Sequence, residues 1–250
     1  MWLYNFGLSL YAFAIALVSP WHRKAKRWRD GRKHLLQRMA EAIDPSEPIV
    51  WVHVASLGEF EQGRPIIEKI RLEHPRYKIL LTFFSPSGYE IRKDYPGADY
   101  IFYLPIDTPR NARRFLDIVR PEIAIFVKYE FWINLLTGLR RQGIRTYIVS
   151  AIFRRNSVFF RQWGGLWRQA LETFDTLFVQ NEESRILLGK LGFDNVVVAG
   201  DTRFDRVAQI AANAKRIELV ERFRGGERLF VAGSTWGPDE ELLIELMNAN

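Results

Sequence analysis

The sequence predicts an α/β protein: a Rossmann-like parallel sheet with helices on both faces, preceded by an N-terminal membrane-anchor helix. Three observations carry this expectation. Seven short runs rich in Val, Ile and aromatic residues recur with helical stretches between them, the alternation of a parallel sheet covered on both sides. The first twenty residues, MWLYNFGLSLYAFAIALVSP, are mainly apolar and carry no charged side chain. Directly behind them, residues 21–38 hold Arg23, Lys24, Lys26, Arg27, Arg29, Arg32, Lys33 and Arg38 against the single acid Asp30.

Residues 1–20 come first. Twenty helical residues span about 30 Å, roughly the hydrocarbon core of a bilayer. A secretory leader would place its positive charge before the apolar run, and here the order is reversed. Lys and Arg behind such a run stay on the cytoplasmic side and attract anionic headgroups at about 1 kcal/mol each. An uncleaved anchor is therefore expected over 1–20, spanning the bilayer or lying in its interface, with a basic juxtamembrane helix over 21–45. Trp2, Tyr4, Phe6, Tyr11 and Phe13 suit either arrangement, and a buried amphipathic helix is the alternative. The basic segment accounts for the whole formal charge of +7, so the remaining body is neutral and nucleic-acid binding is disfavoured.

The 250 residues suffice for one large α/β domain, or for one domain plus the start of another. Candidate strands lie at 49–56, 77–85, 100–105, 123–128, 145–151, 176–180 and 196–200. After the first, Phe60, Ile66, Ile67 and Ile70 share one helical face, and Pro65 either opens that helix or kinks it. Further helices are expected over 108–120, 130–142, 157–174, 181–191 and 203–224, completing a Rossmann-like domain over 46–224. From 225 to 250 the chain reads as a fresh start: a Gly-Gly turn, a strand near 228–233, a small-residue loop and a helix to the last residue. One strand and one helix form no core alone, so this is the opening of an incomplete second domain or an extra unit of the first sheet.

The absence of cysteine excludes disulfides, thiolate catalysis and cysteine-ligated zinc. The four histidines show no metal-ligand spacing, and His53, inside IVWVHVAS, reads as a hydrogen-bonded core residue. In open α/β sheets ligands bind beyond the carboxyl ends of the strands. Glu59 follows the first strand through Ser56, Leu57 and Gly58, where a helix start would favour an ionised carboxylate. Gly58 would permit a sharp turn and Ser56 could hydrogen-bond a ligand. Acids are also common in first turns, so on these residues alone both readings of Glu59 stand.

Several segments together resemble the Kdo (3-deoxy-D-manno-octulosonate) transferases of lipopolysaccharide biosynthesis. SLGE (56–59) is similar to their S-x-G-E motif, SPSG (85–88) to T-P-T-G, and QNEES (180–184) to Q-N-E-E. AGDTRFD (199–205) resembles G-x-x-K-F-D, and GSTWGPDEE (233–241) the S-T-H-x-G-E-E opening of their second domain. The resemblance implies a GT-B fold, of which 46–224 would be the N-terminal, acceptor-binding domain and 225–250 the start of the donor-binding one. It implies attachment to the cytoplasmic face of the inner membrane, CMP-Kdo as donor, a lipid A precursor as acceptor, no cofactor and no metal.

By the same resemblance Glu59 is the general base, Ser56, Gly58, Ser87 and Gly88 line the acceptor site, and Ser234 and Thr235 touch the donor nucleotide. One motif departs: where the family often shows E-T-E-L-W-P-N, this chain reads KYEFWIN (128–134), with Lys128 replacing the first acid. Glu130 then becomes the candidate second catalytic acid, or a structural residue at a helix start, and Lys128 a contact for an acceptor phosphate. Arg154 and Arg155 are further phosphate partners, with a solvated loop as the alternative. Phe159, Phe160, Trp163 and Trp167 either pack on the sheet or dip into lipid. Another GT-B enzyme acting on a lipid acceptor, and a non-catalytic membrane-bound lipid-binding module, are the competing functions.

Overall fold

The computed structural model describes residues 1–248, and the chain divides into two compact units, Met1–Ala208 and a second from Gln209 onward. The first unit is built on a parallel sheet of β1 (Ile49–Val54), β2 (Lys78–Phe83), β3 (Tyr100–Tyr103), β4 (Ile123–Val127), β5 (Arg145–Ala151), β6 (Thr176–Val179) and β7 (Val196–Val198). Their order is β3-β2-β1-β4-β5-β6-β7. The progression reverses between β1 and β4, which makes that junction the switch point where such sheets bind ligands. All seven strands fall at the places their Val/Ile-rich runs predict.

Alternate residues of each strand feed opposite layers. Val50, Val52 and Val54 pack with Phe60 and Ile67 of α4 (Leu57–Glu73) on one face. Trp51, Ala124 and Phe126 pack on the other with Met39, Phe115, Leu135 and Leu139. That second layer draws on α3 (Leu35–Ala42), α6 (Pro109–Val119), α7 (Ile133–Gln142) and α8 (Gly165–Leu171), while α9 (Glu182–Gly189) packs near β6 and β7. α4 runs continuously through Pro65.

Several expectations are corrected. A short helix absent from the sequence reading, α5 (Pro86–Arg92), follows β2; Ser85 caps it by accepting from the Ser87 N–H, and Pro86 occupies its first turn. The helix expected over 157–174 is a 3₁₀ turn at Val158–Phe160 followed by α8. Gly164 sits at the break, and the turn there admits only glycine, since a Cβ would lie 2.1 Å from the Val158 carbonyl oxygen. The helix expected over 203–224 divides into α10 (Arg203–Ala212) and α11 (Glu218–Arg224), with Asn213 Nδ2 donating back to the Gln209 carbonyl.

In the second unit the strand expected near 228–233 does not form, and among the described residues that unit holds no strand to pair with it. Helix α12 (Gly237–Asn248) follows, and the last two residues of that expected helix lie outside the described residues. Neither α11 nor α12 buries a residue, as a unit without a sheet requires.

The N-terminus carries the largest correction. α1 (Trp2–Val18) has 17 residues, about 25 Å at 1.5 Å each, and no helix among the described residues is long and apolar enough to cross a membrane. The spanning form of the anchor is not supported. The polar residues of α1 instead find partners in the domain: Tyr4 Oη donates to Asp107 Oδ2 at 2.6 Å, and Asn134 Nδ2 donates to Asn5 Oδ1 at 2.8 Å. Tyr4, Asn5, Leu8, Ala12, Ile15 and Ser19 form a covered stripe at helical spacing. The opposite side leaves Trp2, Leu3, Phe6, Leu10, Phe13 and Leu17 between 57% and 73% exposed. α2 (Arg23–Asp30) follows; Arg32, beyond its end, donates to the carbonyls of Trp28, Phe84 and Leu104 at 2.8–3.0 Å. Its guanidinium stacks 4.0 Å from the centre of the Trp28 ring, and burial pushes its pKa down to about 9. The basic segment is thereby fixed to the ends of β2 and β3.

Candidate functional site

At the switch point, β1 leads through Ala55 into Ser56, an extended residue before the first turn of α4. Ser56 Oγ does not cap the helix N–H groups and instead donates to Glu59 Oε2. The other oxygen of Glu59 faces Lys128 Nζ at 3.7 Å, with 19% of the Glu59 side chain and 26% of the Lys128 side chain exposed. Lys128 follows β4 and holds a left-handed backbone, φ +72°, a conformation that costs a non-glycine residue about 1 kcal/mol or more. Its N–H is fixed to the Val149 carbonyl at 2.8 Å. Residues from the two strands that flank the crevice thus meet as a hydroxyl, a carboxylate and an ammonium.

A second acid stands close by. Asp201 accepts from Gln62 Nε2 at 3.0 Å and from Arg203 Nη2 at 2.5 Å. Burial works against its charge, but the hydrogen bonds from Arg203 and Gln62 win and hold its pKa at about 2. The same bond to Asp201 holds the Arg203 guanidinium above its ordinary value, and the negative charge of Glu59 adds to that effect. Thr202 Oγ1 donates to the Gln62 carbonyl at 2.6 Å, tying the segment to α4. Within the AGDTRFD stretch, the signal that points to these residues is the Asp-x-Arg spacing, which permits a local ion pair.

Glu130 is not part of this group. Only 8% exposed, it accepts from His53 Nε2 at 3.0 Å and Trp132 Nε1 at 2.8 Å. His53 Nδ1 in turn lies 2.9 Å from Thr82 Oγ1, which accepts from Trp51 Nε1 at 2.8 Å. This buried chain of polar side chains joins β2, β1 and the turn after β4, and in it every member has a partner. The geometry favours the structural alternative for Glu130. A comparable latch holds α1: Asp107 accepts from Tyr4 and from the N–H groups of Asn134 and Leu135 at the start of α7, and burial raises its pKa to about 6.

The remaining expected residues divide. Gly58 is helical, and a Cβ there would meet nothing nearer than Ser56 Oγ at 3.9 Å, so no turn requires glycine. Gly88 is required, since a Cβ would lie 2.5 Å from the Phe83 ring and 2.9 Å from the Ser56 backbone. Its bareness lets α5 close on the Ser56 turn, and Ser87 is carried beside that contact with its hydroxyl 2.9 Å from Ser85 Oγ. Arg154 and Arg155 stand on the exposed loop after β5, Arg155 3.8 Å from Glu183. Ser234 and Thr235 lie in the second unit, where Thr235 Oγ1 donates to Glu240 at 3.0 Å. Phe159 is buried and Trp167 packs edge-on against Tyr4, while Trp163 is 73% exposed.

Comparison with known proteins follows the same lines. The solved structures of UDP-GlcNAc 2-epimerase from Neisseria meningitidis and from Methanocaldococcus jannaschii share the fold, the GT-B type, each with a TM-score of 0.52. Their sequence identities are 15% and 16%, over 71% and 73% of this chain and 53% and 54% of theirs. Among curated proteins, a 3-deoxy-D-manno-octulosonic acid transferase of Bordetella pertussis is 28% identical over 97% of this chain and 60% of its own length. One of Aquifex aeolicus is 28% identical over 82% of this chain and 51% of its own length. The chain therefore spans between 43% and 60% of the length of such curated relatives. The model of the family "3-Deoxy-D-manno-octulosonic-acid transferase (kdotransferase)" matches residues 26–206, which include the sheet, Glu59 and Lys128, and the chain belongs to that family.

Proposed function

We propose that this chain is the acceptor-side part of an inverting glycosyltransferase that moves Kdo from CMP-Kdo to a lipid A precursor, with Glu59 as general base and no metal. The single observation that supports this most is the meeting of Ser56, Glu59 and Lys128 at the sheet's switch point. A sugar hydroxyl is a weak nucleophile at neutral pH. As its oxygen bonds to the anomeric carbon and CMP departs with the bonding electrons, the hydroxyl proton needs an acceptor on the face opposite the leaving group. Glu59 accepts it, and Ser56 orients the carboxylate. Lys128 and Arg203 supply positive charge in a crevice whose substrates, a phosphorylated lipid and a nucleotide sugar, are anionic.

The membrane part of the reading rests on α1 and α2. An exposed apolar helix face followed by a basic segment is the signature of a helix lying in the bilayer interface. We place the protein accordingly on the cytoplasmic face of the inner membrane, with membrane lipids as partners and no nucleic acid.

The test is Glu59→Gln in a version carrying a complete second domain, assayed with CMP-Kdo and lipid A precursor. A base contributes about 10²- to 10⁴-fold, so turnover should fall by that factor with acceptor binding unchanged. Near-normal turnover would refute the assignment. Acceptor binding without any turnover in the unsubstituted protein would favour a lipid-binding module instead.

A further inference from the structure

The basic residues of α2 line a cleft. Two adjoining lobes of about 500 and 300 Å³, sharing His22, Lys24 and Pro86, run between α1–α2 and the turn from β2 into α5. One lobe is walled by Arg23, Lys24 and Arg27 on one side and Ser87 on the other. The second is apolar, walled by Tyr11 and Ile15 of α1 together with Trp28 and Phe84. The segment's acid, Asp30, is already engaged by Arg29 and Lys33 at 3.0 and 2.9 Å. Among the described residues, Arg23, Lys24 and Arg27 have no carboxylate within 4.0 Å. Glu90 lines the polar lobe too, and its Oε1 accepts from the Tyr103 hydroxyl at 3.2 Å.

An independent observation points to a ligand here. Trp28, in the cleft wall, is 6% exposed, and its indole N–H has no hydrogen-bond acceptor. A buried donor without a partner is uncommon in a folded protein; this nitrogen is closed off inside the wall, so an anionic oxygen in the cleft meets it when the Trp28 ring turns. The cleft wall touches the turn before Glu59, since the Ser85 N–H donates to the Ala55 carbonyl at 2.8 Å, beside Ser56. Cations facing a hydroxyl in one lobe, with a lone donor in the apolar wall of the next, fit a phosphate monoester carried by an acylated molecule.

We propose that this cleft binds the acceptor's phosphate, with Arg23, Lys24, Arg27 and the Trp28 N–H as its partners and the acyl chains laid along α1. The proposal rests on the transferase reading and deepens it, moving phosphate recognition from the exposed Arg154–Arg155 loop to α2. An amphiphile seated this way has its tails at the exposed face of α1 and its sugar hydroxyls toward Glu59.

The test is calorimetric titration with dihexanoyl phosphatidic acid below its micellar concentration, beside dihexanoyl phosphatidylcholine and inorganic phosphate. Phosphatidic acid should bind more tightly than either comparator. R23Q/R27Q should weaken it at least tenfold and Trp28→Phe several-fold, while R110Q/R113Q on exposed α6, with the same change in net charge, should leave it within about twofold. The proposal is overturned if inorganic phosphate binds as well as the lipid, if R23Q/R27Q has no effect, or if R110Q/R113Q weakens binding equally. It is also overturned if R154Q/R155Q alone abolishes binding. The Glu59→Gln assay contains no such lipid and tests the transferase reading separately, so the two can fail independently.

Discussion

Replacing Tyr4 by Phe removes one hydroxyl and should loosen α1 in a way that depends on pH. In the native protein that hydroxyl donates to Asp107 Oδ2 at 2.6 Å, and Asp107 is fully buried. Burial raises the Asp107 pKa from 3.8 to about 6, and the Tyr4 hydrogen bond is the largest influence opposing that rise. A raised carboxyl contributes stability that is complete below about 3.8 and lost as pH climbs through about 6. At 1.36 kcal/mol per unit the loss is about 3 kcal/mol, constant above that window. The Tyr4 bond offsets part of it, being worth about 1.5–3 kcal/mol to an ionised acceptor and about 0.5–1.5 to a neutral one. Tyr4→Phe should therefore destabilise the protein by about 1 kcal/mol more at pH 8 than at pH 4.5. Urea unfolding at both values, with amide hydrogen exchange resolving α1, measures this. A penalty equal at the two pH values, or unchanged α1 protection at pH 8, would refute the argument.

Gly88→Ala should cost about 1–3 kcal/mol, since its methyl meets the Phe83 ring and the Ser56 backbone, and turnover should fall with the melting temperature. Glu130→Ala removes the carboxylate that accepts from both the His53 and Trp132 ring nitrogens, leaving only the 3.0 Å contact of Trp132 Nε1 with His53 Nε2, and should destabilise by about 1–3 kcal/mol, whereas Glu130→Gln should keep most of the stability. Equal stability for Glu130→Ala and the parent would argue against the buried network. Asp201, whose pKa is lowered, contributes stability present above about 3.8 and lost as pH falls through about 2. Asp201→Asn should accordingly flatten the acid limb of an unfolding curve between those values.

The strands were legible because each carries a dense run of β-branched and aromatic residues, buried on both faces in the central strands, a pattern that needs no tertiary information. α5 was not, because its signal is a cap and a proline over seven residues, too few for a period. The helix at 157–174 failed at Gly164, where a contact with the Val158 carbonyl overrides the apolar spacing. Glu59 could be placed from its position after β1, but its neighbour Lys128 belongs to a different strand and no spacing announces the pair. The burial of Glu130 depends on His53 and Trp132, which only the folded sheet brings to it. Hydropathy alone left residues 1–20 open to a span, an interfacial helix or a packed one, because it cannot see Asp107 and Asn134 pairing with Tyr4 and Asn5.

The reversal of strand order between β1 and β4 has a consequence for how such an enzyme can change. α4 and α7, which continue from these two strands, pack on opposite sides of the sheet, so the crevice is a natural parting of the chain that no repacking of either layer closes. Position 128 sits on that rim with its backbone already bent and tethered to Val149, so its side chain is an exchangeable tool on a fixed handle. Replacing Lys128 by an acid there would invert the charge beside Glu59 while the architecture stays put.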